Sequence, residues 1–220
     1  MPNTTYEGVR ILLEADEKYI QLDDLDDTAI RRLWPRIVAD FPGFTVDLCY
    51  HNNIPPAAFL EEINAVMEDD CIALHLNRDN LKDLPIGDVT VVTEANFDIF
   101  AALHDEKNPD MYWTGTMLRK NLSNWDILAL MDDGVMTGYV FIRSGWEVYA
   151  LYADSTENMI TLLNAAVRRG FAALAQANPD NIREILFNVD KNEPMQQDAA
   201  LQVGFRPTGY YVGYTTKATG

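Results

Sequence analysis

Apolar and polar positions along GVRILLEADEKYIQLDD (residues 8–24) form two short alternating runs with a polar turn between them, which predicts two strands. The spacing then lengthens to a helical period from Thr28 to about Asp40. TVDLCY (45–50) reads as a strand, Pro55-Pro56 opens a second helix, and CIALHLNR (71–78) is a further strand. Beyond residue 88 come a strand at DVTVVT (88–93), a helix at Phe97–His104 and a second helix over about 110–122. A strand pair at 126–131 and 136–143 is joined by Asp132-Asp133-Gly134, and Asp-Gly between alternating apolar runs signals a hairpin. WEVYALYAD (146–154) is the next strand. A helix runs from Thr156 to about Gln176, followed by a strand at EILFNV (184–189), a helix from Pro194 and a last strand at GYYVGYTT (209–216).

The order repeats. Residues 8–24 match 138–154 in pattern, and each copy continues as helix, strand, Pro-started helix and strand. Identity between the copies is low, so the shared feature is the arrangement β-β-α-β-α-β rather than the chemistry. Residues 88–217 read as β-α-α-β-β-β-α-β-α-β, and residues 8–78 as the back half of that unit. NRDNLKDLPIGD (77–88) is polar, contains Pro85 and Gly87, and has no apolar periodicity, so it marks a boundary. The expected fold class is α/β (α+β), a mixed central sheet flanked by helices. A partial unit spans residues 1–80 and a complete one residues 88–220.

Charge narrows the function. The chain has 220 residues, with 17 Lys+Arg against 34 Asp+Glu, a formal charge of −17. The excess is spread over both halves, 7 basic against 17 acidic residues in 1–87 and 10 against 17 in 88–220. Such a surface repels phosphate backbones, so no nucleic-acid partner is expected. Cys49 and Cys71 sit in apolar strand runs and His51, His75 and His104 are scattered, so buried thiols and no metal site are expected. No basic stretch leads into an apolar core at the N-terminus and no apolar run approaches the ~20 residues of a membrane span. The expectation is a cytoplasmic protein without a membrane partner. No Ser/His/Asp spacing, Walker loop or EF-hand loop occurs.

Residues 88–217 resemble the GNAT superfamily of acyl-CoA N-acyltransferases. The element order matches, the hairpin followed by WEVYALYAD looks like the family's third and fourth strands, and NVDKNEPMQQDAALQVGFRPTGYYVGY is similar to its closing stretch. There Asn192 precedes a helix ending in Gly204-Phe205. Gly204 suits a left-handed helix end, and Phe205 then folds back onto the core. Residues 1–80 are a truncated echo, an arrangement known among family members built from two units, one degenerate.

The resemblance implies acetyl-CoA as co-substrate and a small-molecule amine or peptide as acceptor. The cofactor-binding positions it points to are Leu151, Ala153, Ser155, Asn158, Met159 and Asn192. Family members hold the coenzyme A diphosphate on a Gln/Arg-x-x-Gly-x-Gly/Ala turn, where bare backbone N–H groups open a helix. Here the stretch is Asp154-Ser155-Thr156-Glu157-Asn158-Met159, without glycine or a basic residue and with two carboxylates. Read by itself, it is a helix start with Asp154 as N-cap and Glu157 three residues on. Where many members carry a Tyr four residues ahead of Gly-Phe, this chain has Ala200, which leaves Tyr210 and Tyr211 on the last strand as substitutes. Glu147, on the fourth strand between Trp146 and Tyr149, stands where some members carry a general base. The catalytic assignments are Glu147 and Tyr210, each also readable as an ordinary strand residue.

Smaller features have plainer readings. Met111-Tyr112-Trp113 is an acceptor wall or a core face, Arg168-Arg169 read as solvated, with Arg168 also within reach of a cofactor phosphate if one binds, and Trp34-Pro35 marks a kink or late helix start. Three functions compete: an acetyltransferase acting on a cationic amine, a GNAT-fold pseudoenzyme acting as a binding or regulatory module, and a structural role through a sheet edge or a homodimer.

Overall fold

The computed structural model describes residues 4–109, 111–143, 146–177 and 184–219. The chain opens with β1 (Thr4–Tyr6), β2 (Val9–Glu14), β3 (Tyr19–Asp23), α1 (Asp27–Asp40), β4 (Thr45–His51), α2 (Ala57–Glu62) and β5 (Val66–Leu76). It continues with β6 (Thr90–Val91), α3 (Phe97–Lys107), α4 (Gly115–Lys120), β7 (Trp125–Asp132) and β8 (Val135–Arg143). The last elements are β9 (Glu147–Ala153), α5 (Thr156–Ala177), β10 (Ile185–Asp190), α6 (Pro194–Val203) and β11 (Arg206–Lys217). The β-β-α-β-α-β order read from the sequence therefore occurs twice, as β2–β5 and as β8–β11.

The differences are local. β1 was not expected; a mirror-image turn at Glu7 (φ 51°) and Gly8 (φ 85°) folds it onto β2 with Tyr6 opposite Val9. β5 begins at Val66, ahead of Cys71, because backbone pairing holds the polar Glu68-Asp69-Asp70 in a strand. Helix over 110–122 shrinks to α4 and a single 3-10 turn, Leu122–Asn124. Asp110, the expected start of that helix, and Ser144-Gly145 lie outside the described residues. Pro35 lies inside α1 rather than at its start, and Trp34 packs edge-on against Phe59 at 6.1 Å. The hairpin at Asp133 (φ 47°) and Gly134 (φ 83°) forms as expected.

The chain forms two compact units, Met1–Ile72 with Gly209–Gly220, and Ala73–Thr208. The polar stretch 77–88 lies within the second of these units. The chain crosses between units inside β5 and inside β11, and residues 211–217 of β11 pair antiparallel with β4, from Tyr211 opposite His51 to Lys217 opposite Thr45.

In the first unit the strand order is β1-β2-β3-β4-β11, followed by the start of β5. One face of α1 (Ile30, Leu33, Trp34, Ile37) and Phe59 and Leu60 of α2 cover Ile20, Leu22, Val46, Leu48 and Tyr50. The opposite strand positions are polar. There Tyr19 donates to Asp47 at 2.6 Å, His51 meets Asp23 at 3.1 Å, and Cys49 Sγ lies 3.2 Å from the Tyr211 hydroxyl. Burial raises the Asp47 carboxyl above its usual range, against the hydrogen bonds from Tyr19 and Thr215.

The second unit has the end of β5, then β10-β9-β8-β7-β6, with helices on both faces. Phe100 of α3 meets Tyr139 and Phe141 edge-on at 5.2 and 6.1 Å. Gly138 faces the other way, where an added Cβ would come within 3.2 Å of Leu162 on α5. Both free cysteines are buried. Among the described residues no helix is long and apolar enough to cross a membrane.

Candidate active site

Strand β9 is the axis of the site. Its pairing with β8 skips Tyr149: Val148 is opposite Ile142 and Ala150 opposite Phe141, so Tyr149 forms a bulge. On its other edge β9 runs parallel to β10, with Glu147 opposite Leu186 and Val148 opposite Phe187, and the ladder ends there. The bulge and the end of pairing coincide. Among the described residues no strand pairs with Ala150–Ala153 on the edge of β9 facing away from β8, although β10 continues to Asp190. The corresponding pair of the first copy behaves differently. β3 and β4 stay joined from Tyr19–Thr45 to Leu22–Leu48, and Leu25 N–H extends the closure by donating to the Cys49 carbonyl at 3.0 Å. The β3–β4 ladder thus runs over four residue pairs and the β9–β10 ladder over two.

Leu151 and Ala153 lie on this stretch of β9 with buried side chains. At the end of β9 the chain turns into α5. Ser155, not Asp154, caps this helix: its Oγ accepts the Asn158 N–H at 3.2 Å and its carbonyl accepts the Met159 N–H at 3.0 Å. Asp154 instead accepts the Asn158 side-chain amide at 3.0 Å. The cap moves by one residue because a serine one position nearer the helix reaches its third N–H. Asn158 and Met159 have thus already committed the N–H groups that a diphosphate would need, while Asp154 and Glu157 add negative charge. The residues of this turn do not fit a coenzyme A diphosphate.

The remaining candidates are dispersed. Glu147 is half-buried at the start of β9 in the second unit. Tyr210 belongs to the first unit, where its N–H donates to Asn52 Oδ1 at 2.9 Å and its carbonyl accepts the Asn52 N–H at 3.0 Å. Asn192 is exposed ahead of α6, its N–H donating to Asp190 at 2.7 Å. Ala200 is fully buried, and its carbonyl accepts the Phe205 N–H at 3.0 Å as part of the Gly204 helix end.

In the aromatic stretch before α4, Trp113 is core while Met111 and Tyr112 are half-buried. Trp113 is 2% exposed, donates to the Tyr149 hydroxyl at 3.0 Å, and stacks edge-on with Trp125 at 5.2 Å. Trp113 thereby supports the bulged Tyr149 from behind. Arg169 is exposed, as expected, and Arg168 is half-buried; both are hydrogen-bonded. Arg169 grips Asp126 through two bonds of 2.7 and 3.0 Å, and Arg168 donates to Asn164 and to the Lys82 carbonyl. Neither the bulge nor the serine cap carried a distinct sequence signal. Ser155 sits next to an equally good capping residue, and a bulge depends on the partner strand.

No protein-family model and no curated protein matches the sequence. Solved structures do match over nearly the whole chain. An acetyltransferase from the GNAT family of Colwellia psychrerythraea aligns with a TM-score of 0.56 at 12% identity, covering 98% of this chain and 84% of that one. A tandem GNAT protein from the clavulanic acid biosynthesis pathway aligns at 0.54 and 14% identity, covering 96% and 79%. A conserved protein of unknown function from Staphylococcus epidermidis aligns at 0.62 and 12% identity, covering 97% and 92%. Together with the element order, these likenesses show that the chain shares the fold of GNAT-family acetyltransferases.

Proposed function

We propose that the second unit binds the pantetheine arm of an acyl thioester along the open edge of β9 and transfers the acyl group to an amine. The observation that carries this reading is the contrast between β9–β10, open beyond Val148 and Phe187, and β3–β4, joined over four residue pairs. An unpaired strand edge presents alternating N–H and C=O groups, and an arm built of amides can pair with them as a strand would. We assign Glu147 as the base that takes a proton from the acceptor ammonium. The amine nitrogen then attacks the thioester carbonyl, the carbon–sulfur bond breaks, and the thiol leaves with a proton. The charge of −17 favours a cationic acceptor such as a polyamine, an aminoglycoside or a lysine-like group.

Thiol release from S-acetylpantetheine and acetyl-CoA across a panel of such amines tests the proposal. Turnover that falls at least tenfold in Glu147→Gln, with thermal stability kept, supports it. Absence of thiol release with every amine removes the catalytic reading. Tyr210→Phe is a separate test of Tyr210 as proton donor; unchanged kcat would remove that assignment.

A second reading, a binding module without catalysis, draws on the capped α5 start and on Ala200 at the position of the family's tyrosine. Saturable binding of S-acetylpantetheine without thiol release would favour it.

A further inference from the structure

In a chain this acidic, a cluster of cations around one cavity is the unusual feature. The second unit holds an open cavity of about 350 Å³ bordered by Arg78, Leu81, Lys82, Asp83, Arg168 and Phe171. Its volume falls at the lower end of small-molecule sites, about 300–1,000 Å³. Three cations face it against one carboxylate. Asp83 has a fully exposed side chain, 3.9 Å from the Arg168 guanidinium, so water screens most of its charge.

The walls are fixed. Arg168 Nε donates to Asn164 Oδ1 at 3.0 Å and its Nη2 donates to the Lys82 carbonyl at 2.9 Å. Asn164, 1% exposed, donates in turn to the Pro85 carbonyl at 3.1 Å, and the Lys82 N–H donates to the Val203 carbonyl at 3.0 Å. A guanidinium has five N–H donors, and these two bonds leave three for a ligand. Phe171 is 4% exposed and gives the cavity an apolar floor.

We propose that this cavity binds a small phosphate-bearing ligand, with Arg78, Lys82 and Arg168 as its cationic contacts. Two arginines and a lysine exceed what one carboxylate would satisfy, and the planar fork of Arg matches the oxygens of a phosphate group. Leu81 and Phe171 take the apolar part of the ligand. The site is separate from the proposed acyl site: Arg168 lies twelve residues along α5 from Thr156, about 18 Å at the helical rise.

Calorimetric titration of the full chain with inorganic phosphate and with pyrophosphate, at low and high salt, tests this. Arg78→Gln/Lys82→Gln removes two exposed cations without touching the Arg168 anchor. The expected result is saturable binding tighter than about 1 mM that weakens with salt and falls roughly tenfold in the double variant. Stronger binding of pyrophosphate points to a diphosphate ligand, and equal binding to a phosphomonoester. Absence of saturable binding overturns the proposal, and so does binding that the double variant leaves unchanged. S-acetylpantetheine, which has no phosphate, should bind both proteins alike, so failure of the acyl reading stays distinguishable from failure of this one.

Discussion

His104 has no exposed surface, yet both of its ring nitrogens are engaged. Nε2 lies 2.7 Å from the Trp113 carbonyl and must donate, which makes Nδ1 the acceptor for the Tyr139 hydroxyl at 3.2 Å. Asn108 donates to that hydroxyl at 2.6 Å and completes the network. Burial lowers the His104 pKa, against the hydrogen bond to Trp113, so the folded protein holds the ring neutral. Below the unfolded value of 6.5 the unfolded chain binds the proton more readily, so stability is full above that pH and is lost as pH falls toward the folded value. Urea midpoints at pH 8 and pH 5.5 should therefore drop toward acid. His104→Phe should flatten that part of the drop and cost about 2–4 kcal/mol at pH 8, because the Trp113 carbonyl loses its donor and the Tyr139 hydroxyl its acceptor. Gly204 is the second residue on which the unit depends. Its φ is 118°, and a Cβ there would stand 2.1 Å from the Asn80 carbonyl oxygen. Gly204→Ala should lower stability by at least about 2 kcal/mol in the same denaturation assay, through strain and displacement of that backbone. The two residues differ in legibility. Gly-Phe at a helix end announced its conformation, whereas a histidine in an apolar helix announced nothing, because its partners come from a loop and from β8.

At the scale of the element, the start of α5 is held by Ser155, whose Oγ accepts the Asn158 N–H, with Asp154 and Glu157 beside it. Ser155→Ala removes the cap and should cost about 1 kcal/mol, read as a fall in thermal midpoint. Asp154→Asn/Glu157→Gln should act in the opposite sense on anions. A pair of like charges at 4 Å repels by about 1 kcal/mol in water, so neutralising these carboxylates should tighten acetyl-CoA binding roughly fivefold or more. S-acetylpantetheine binding should stay unchanged in the same titrations. If neither ligand responds, the α5 start is not near the phosphates. Most elements were legible because apolar spacing distinguishes a helix from a strand, as in α1, the β7–β8 hairpin and α5. β1 was not, since Thr4-Thr5-Tyr6 is too short to show a period. The opening of β9 was also hidden: WEVYALYAD reads as one continuous strand, and the partner strand determines where its pairing ends.

For the whole molecule, spacing along the chain specifies which residues form strands but not which strands pair. GYYVGYTT was legible as a strand, yet its partner is β4, more than 150 residues earlier, and no periodicity encodes that choice. The consequence can be tested with fragments. A fragment of residues 88–220 follows the polar boundary in the sequence. It lacks the end of β5 and the segment through Gly87, and so loses the Thr208 bond to the Ala73 carbonyl, the Lys82 bond to Val203 and the seat of Gly204 on Asn80. It also retains residues 211–217 without β4, leaving Val212 and its neighbours uncovered. A fragment of residues 73–208 keeps those bonds and omits the strand end that has no partner within it. The second fragment should unfold cooperatively in urea with dispersed amide resonances, and the first should aggregate or unfold without a sharp transition. The reverse outcome would mean that the linker, not the strands that cross between units, limits the folding body. The contacts of Asn164 and Arg168 with residues 82–85 argue against that, because they fasten this polar stretch to α5.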